Sequence, residues 1–243
     1  MDETRRPAYY AAARGGWRDW WTLLHPPYTA WHLSYVVVGA SLAPHPSISR
    51  LVASVLGFFL AVGIAAHALD ELHGRPLHTT ISSSALIAVT AVGLAGAVAL
   101  GVLGVVKVGI VLVPFIVVGP VLVVAYNAEL FGGFVHTDAG FAAAWGSFPL
   151  LCAYVAEAQT MRLAPLFAAA GAFALSYAQR SLSTPARLVR RSAVVVEGSI
   201  QMADGSVTRI EERTLLAPLE HALRAMSWGM VLFAAALAVA RLT

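Results

Sequence analysis

Apolar runs close to membrane thickness alternate with short polar connections along nearly the whole chain. Ala85 to Val106 carries no charged residue, and Val108 to Tyr126 follows with Lys107 alone between, so two helices of about 20 residues fit back to back. The same pattern places spans near residues 27–44, 51–70, 83–106, 108–128, 141–157, 163–179 and 224–241. It predicts an all-α fold: a polytopic transmembrane helical bundle of about seven spans. Four segments follow: an interfacial N-terminal stretch over 1–26, a bundle core over 27–179, a loop over 180–222 and a final transmembrane helix over 223–243.

Outside the spans the pattern changes. Trp17, Trp20, Trp21 and Leu24 recur at helical spacing within residues 8–24 while Arg14, Arg18 and Asp19 turn elsewhere, which predicts an amphipathic helix lying at the membrane surface. In the long polar segment Ser181 to Pro185 is expected to break the helix. Val194 to Met202 and Val207 to Ile210 flank Asp204-Gly205, a pair suited to the two central positions of a type I′ hairpin turn.

Composition agrees with a bilayer. The chain is 58% hydrophobic and only 12% charged, against roughly 25% charged in a soluble domain. Cys152 is the one cysteine, which excludes a disulfide framework and a cysteine-rich zinc site. The first twenty residues hold no uninterrupted apolar core, so no cleavable signal peptide is expected. The basic residues report orientation rather than nucleic-acid binding: Arg50, Lys107, Arg162 and Arg241 fall on one face of the seven-span arrangement and the other twelve of the sixteen on the opposite face. By the positive-inside rule the N-terminus is cytoplasmic, and the connections after spans two, four and six emerge there together.

Those three connections hold most of the polar chemistry. The first runs from His67 through Asp70, Glu71, His73, Arg75 and His78 to Thr80, and its two adjacent carboxylates oppose the negative end of the helix dipole near the hydrocarbon boundary. A compensating cation is expected. A plain Glu71–Arg75 ion pair at spacing i, i+4 contributes only a few tenths of a kcal/mol, roughly, and leaves Asp70 unexplained. The second connection carries Tyr126, Asn127, Glu129, His136 and Asp138, the last placed to cap the next helix. The third carries Arg180, Arg187, Arg190 and Arg191; Arg187 is read as a contact for phosphates, Arg190 and Arg191 as a solvated basic run. His25, His32, His45 and His221 are isolated and read as packing or interfacial residues.

Three stretches carry a family resemblance: His25-Pro26-Pro27-Tyr28-Thr29 leading to Val38-Gly39-Ala40; Asp70-Glu71 followed by Arg75-Pro76-Leu77 and Ile81-Ser82; and Trp145-Gly146-Ser147-Phe148-Pro149. Over roughly the first 180 residues the chain resembles the UbiA superfamily of intramembrane prenyltransferases. In that family an N-D-x-x-D-x-x-x-D motif after helix two and a D-x-x-x-D motif after helix six bind magnesium with an allylic prenyl diphosphate. Here His67, Glu71 and Arg75 stand at the three acidic positions of the first motif, with Asp70 beside them, and Tyr177 to Ser181 has no carboxylate. The family typically has nine spans rather than seven.

The resemblance implies transfer or cyclisation of an isoprenoid from a prenyl diphosphate to a lipophilic acceptor, assisted by Mg2+, in a bacterial plasma membrane. It implies Asp70, Glu71 and Glu129 as metal ligands, Asp70, Glu71, Tyr126 and Asn127 as catalytic residues, and His67, Arg75, Arg180 and Arg187 as contacts to the diphosphate. Two alternatives stand beside it. One is a non-catalytic membrane protein on the same scaffold that binds an isoprenoid, a quinone or a partner subunit. The other is a transition-metal enzyme built on His67, His73, His78, Glu129 and His136.

Overall fold

Pro26 and Pro27 open the helix around which the others assemble. Proline at the first turn forfeits no intrahelical hydrogen bond and presets the helical φ, so α2 (Pro26–Ser41) starts there at once after His25. The computed structural model describes residues 6–242. Within it α1 (Trp17–Leu23) precedes α2, and α3 (Ile48–Leu72), α4 (Ser83–Val108), α5 (Ile110–Asn127), α6 (Asp138–Ala158), α7 (Leu163–Ser192) and α8 (Glu212–Leu242) follow it. A hairpin of β1 (Gly198–Gln201) and β2 (Val207–Ile210) separates α7 from α8.

The bundle is all-α and polytopic, but among the described residues five helices rather than seven are long and apolar enough to cross a bilayer: α3, α4, α5, α6 and α8. The reason differs for the other two. α2 has only 16 residues, about 24 Å of helix, and its surroundings are protein: Trp31, Tyr35 and Val36 are fully buried. It therefore tolerates Thr29, His32 and Ser34 in its interior. In α7 the apolar stretch ends at Gln179 and Arg180, while the helix continues.

Close backbone approach holds α2, α6 and α7 together. A Cβ at Gly39 would collide with the backbone of Leu150 on α6, and one at Gly146 would lie 2.7 Å from the carbonyl oxygen of Ala172 on α7. Trp31 donates from Nε1 to the Tyr35 hydroxyl at 2.6 Å, and Ser176 from α7 donates to the same oxygen at 3.2 Å. By contrast α4 fully buries only Leu86 and Gly93, and half-buried positions alternate with exposed ones along the rest of it, as in a helix with one face on the bundle and one toward lipid.

α3 and α6 each contain a π-helical stretch, Phe59–Ala66 and Ala142–Ser147. Such wider turns rotate all that follows and commonly sit at functional sites. In α3 the stretch sets the facing of His67 and Asp70.

Three local expectations change. α7 does not break at Ser181 to Pro185 but runs to Ser192 with Pro185 inside it. The hairpin turn is not the two-residue type I′. Met202 accepts from Gly205 N–H at 3.0 Å and donates to Ser206 O at 2.8 Å, and only Gly205 has positive φ, so Ala203, Asp204 and Gly205 form a three-residue loop. The N-terminal amphipathic stretch is confined to α1, where Trp17, Trp20 and Trp21 are exposed; Ala8 and Ala11 before it are buried.

Asp19 ties α1 to the loop after α3. Its carboxylate accepts from Gly15 N–H at 3.0 Å, from Thr80 N–H at 2.8 Å and from the Thr80 hydroxyl at 2.5 Å. Burial pushes its pKa up, but the hydrogen bonds from Thr80 and Gly15 outweigh that and hold it below the usual aspartate value. A depressed folded-state pKa contributes stability above the unfolded value and loses it as pH falls through the folded one. Asp19→Asn is therefore expected to lower stability by about 2 kcal/mol at neutral pH. The gap to the wild-type protein should close below about pH 4 in thermal unfolding across a pH series.

Candidate functional site

The first turns of α2, the last turns of α3 and α5, the C-terminal half of α7 and residues 7–10 enclose a polar chamber of about 360 Å3. Asp70, His67, Tyr126, Asn127, Arg180 and Arg187 all line it, and Glu129 stands at its rim. So the three polar connections do gather at one end of the bundle.

Each wall has its own support. His67 bonds through Nδ1 to the Gly63 carbonyl at 3.1 Å and stacks on His25 with ring centroids 4.4 Å apart. A bond to a carbonyl requires the proton on Nδ1, which leaves the Nε2 lone pair of neutral His67 free. His136 does the same at the Tyr126 carbonyl, 2.9 Å away, and stacks on the Tyr126 ring at 4.4 Å. Asn127 is held by its own helix, donating to the Val123 carbonyl at 2.7 Å. Arg180 donates to Asp138 at 3.0 Å and lies over the Phe141 ring.

Asp138 is not the cap of α6. Thr137 caps it, accepting from Gly140 N–H at 2.9 Å, and Asp138 is left to pair with Arg180.

Two predicted residues face elsewhere. Glu71 is fully buried and spends both carboxylate oxygens on the loop after α3: Oε2 accepts from Leu77 N–H at 2.9 Å, and Oε1 from Thr79 N–H and Thr79 hydroxyl at 2.9 and 2.8 Å. Arg75 donates to the Ile81 carbonyl at 2.6 Å and the Ser83 hydroxyl at 2.7 Å. Neither reaches the chamber, nor do they pair with each other. Adjacent helical residues point about 100° apart, so Asp70 faces inward and Glu71 does not.

This disposes of the expected carboxylate set. Magnesium is held by oxygen ligands, several of them on carboxylates or phosphates. With Glu71 turned away and half-exposed Glu129 at the rim, the chamber has two enclosed carboxylates, Asp70 and Glu220, and Glu220 is neutralised by Arg190, which leaves Asp70 alone to meet a ligand. Among the described residues no three His, Cys, Asp or Glu side chains could hold a metal together, and this covers the His67–His73–His78–Glu129–His136 set too. A resident magnesium site does not fit these residues.

Sequence reasoning missed four groups. The Tyr10 hydroxyl bonds His25 Nδ1. Burial pushes the Tyr10 phenol up, so it keeps its proton and donates. Burial first, then His67, Arg191 and Arg187, press the His25 pKa well below the ordinary histidine value, so the ring is neutral and bears its proton on Nε2. Among the described residues that Nε2 and Gln179 Oε1, like the hydroxyl of the expected Tyr126, are buried with no hydrogen-bond partner. Arg191 is the fourth: it turns into the chamber rather than to solvent, donating Nε to the Pro7 carbonyl at 3.3 Å. Arg190 beside it is consumed by Glu220, with Nη2 to Oε2 at 2.9 Å.

A second space opens beside the first. An apolar groove of about 490 Å3 runs between α3, α4, α5 and α6, from Ser49, Arg50 and Lys107 at one end to Val62 and Trp145 at the other. Val62 and Trp145 line the polar chamber as well.

The fold is similar to that of a UbiA homolog from Archaeoglobus fulgidus bound to Cd2+, with a TM-score of 0.54 at 16% sequence identity. The match covers 92% of this chain and 85% of that one. No protein-family model and no curated protein matches the sequence.

Proposed function

The chain has the fold of the UbiA superfamily, and on that premise we propose that it is a membrane prenyltransferase, or a terpene cyclase of the same kind, acting on an allylic prenyl diphosphate. One observation carries the reading: a cationic polar chamber and an apolar groove share a wall at Val62 and Trp145. An amphiphile with a charged head and a hydrocarbon tail fits that pair of spaces, and its head-to-tail bond would lie at the wall. The protein would sit in a bacterial plasma membrane with the chamber and N-terminus on the cytoplasmic side, as the arginine bias implies.

The chemistry then follows from the lining. Guanidinium groups on the diphosphate stabilise the charge that gathers there as the allylic carbon–oxygen bond breaks and its electron pair leaves with the phosphate. The allylic cation left behind faces Tyr126, Phe141 and Trp145, whose ring faces attract positive charge. An acceptor, or a double bond of the same chain, donates its electron pair to that carbon. The proton released from the acceptor passes to Asp70.

The test is pyrophosphate release from geranyl, farnesyl and geranylgeranyl diphosphates by the purified protein. No release with any of them would end this reading. A second variant probes the groove. Gly57 lines it, has open space where a Cβ would go and sits in ordinary helix. Gly57→Leu is expected to raise KM for the prenyl diphosphate about 10-fold, the order set by one buried side chain of about 1.5 kcal/mol, with inorganic pyrophosphate affinity unchanged.

The turning away of Glu71 favours a second reading, a non-catalytic protein that binds an isoprenoid or quinone. Tight binding of farnesyl diphosphate without pyrophosphate release would support it.

A further inference from the structure

Arg180, Arg187 and Arg191 stand at i, i+7 and i+11 on α7, one stripe of the helix that faces the chamber. Ser183 and Ala186, both small, lie between them and leave the floor open. Their partners are few. Among the described residues Arg187 hydrogen-bonds only Thr184 on its own helix, at 3.3 Å, and Arg191 only the Pro7 carbonyl. Burial, then Arg180 and Arg191, lower the Arg187 pKa from the ordinary arginine value. No described carboxylate forms an ion pair with Arg187 or Arg191. Half-buried cations of like charge held side by side, with Asp70 the nearby acid that acts on both, cost free energy unless a further anion joins them.

Other groups complete the same ligand. Among the described residues the buried Tyr126 hydroxyl has no partner, and the His25 ring, its Nδ1 taken by Tyr10, has none at Nε2. Both are proton donors on the chamber wall. A phosphate group is acceptor-only, doubly charged and matched to the guanidinium fork. Donors of this kind are what remains where the family's carboxylates are absent.

We infer that Arg187 and Arg191, joined by Arg180, Tyr126 and His25, hold the diphosphate head directly, with no divalent cation between protein and phosphate. The assignment rests on the proposed reading that the head is a diphosphate. It differs from the family pattern in the sign of the protein charge: over Tyr177 to Ser181, where the second acidic motif would fall, this chain carries Arg180 and no carboxylate, and Arg187 and Arg191 follow on the same helix.

Isothermal titration of the purified full chain with inorganic pyrophosphate, in EDTA and in magnesium, tests it. Binding in EDTA that magnesium does not strengthen is expected. Arg187→Gln and Arg191→Gln should each weaken it about 10- to 100-fold, the worth of a charged hydrogen bond. Asp70→Asn removes a nearby negative charge and should tighten binding a few-fold. Binding that appears only with magnesium and is lost in Asp70→Asn would overturn the inference while leaving the prenyl diphosphate reading intact. Failure of prenyl diphosphate turnover beside metal-free pyrophosphate binding would do the reverse. No binding in either buffer would overturn the arginine site, and loss of binding in the arginine variants counts only where their unfolding midpoints match the wild-type protein.

Discussion

Replacing Glu71 by glutamine is expected to destabilise the protein by about 3 kcal/mol, with little change in how the chamber binds an anion. The Glu71 carboxylate is buried and accepts from two backbone N–H groups through different oxygens, Leu77 on one and Thr79 on the other. Glutamine has one oxygen and one amide nitrogen. Whichever way it turns, an N–H donor faces another donor in a site closed to water, and the desolvation cost of that group is no longer offset. In detergent the unfolding midpoint should fall by about 10 °C for a chain of this size, while pyrophosphate affinity below that temperature stays within a few-fold. The opposite pattern, an unmoved midpoint with binding lost, would return Glu71 to the ligand role that the adjacent acids suggest.

Asp70→Asn is the companion substitution and should behave in reverse. Asp70 lines the chamber and accepts no hydrogen bond among the described residues, so an isosteric amide disturbs no packing and should move stability by less than about 0.5 kcal/mol. Its carboxylate is the charge that an allylic cation would meet and the base that would take the acceptor proton. Losing it should cut prenyl transfer about 100- to 10,000-fold, the range for removal of a positioned acid or base. The measurement is product formation and pyrophosphate release from farnesyl diphosphate under saturating donor. Turnover unchanged in Asp70→Asn would remove Asp70 from the chemistry and leave the chamber as a binding site alone.

Two neighbours in the chain thus part company. Nothing local separates them: both are acids in the last turn of α3. The direction in which that turn faces depends on the π-helical stretch Phe59–Ala66, which no apolar periodicity announces. The packing that goes with it is tertiary, with Leu60 and Ala65 lying against Gly93 of α4. The loop to which Glu71 is tied, Leu77 to Thr79, is ordinary in composition.

The arginines teach the same lesson from the other side. A break at Ser181 to Pro185 would have left Arg190 and Arg191 in solvent, as a basic cytoplasmic run. Because α7 continues through Pro185, the basic run becomes a wall of the chamber, and its arginines differ in their partners: Arg190 is paired with Glu220 of α8, whereas Arg187 and Arg191 have no carboxylate bonded to them among the described residues. His25 and Tyr10 lie fifteen residues apart, a separation that no motif spans.

What the amino-acid order alone determined is the part governed by solvent. Long uncharged runs must be helical and buried in lipid because hydrocarbon satisfies no backbone hydrogen bond, and the arginine bias puts three polar connections on one side. Those two facts were enough to gather Asp70, Tyr126, Arg180 and Arg187 at a common end of the bundle. The tertiary structure alone decided which of the gathered side chains look into the chamber. That choice turns on rotations of about 100° per residue, set by π-helical turns, close glycine contacts and a helix that runs on past its proline, and each of these is fixed by neighbours distant in the chain.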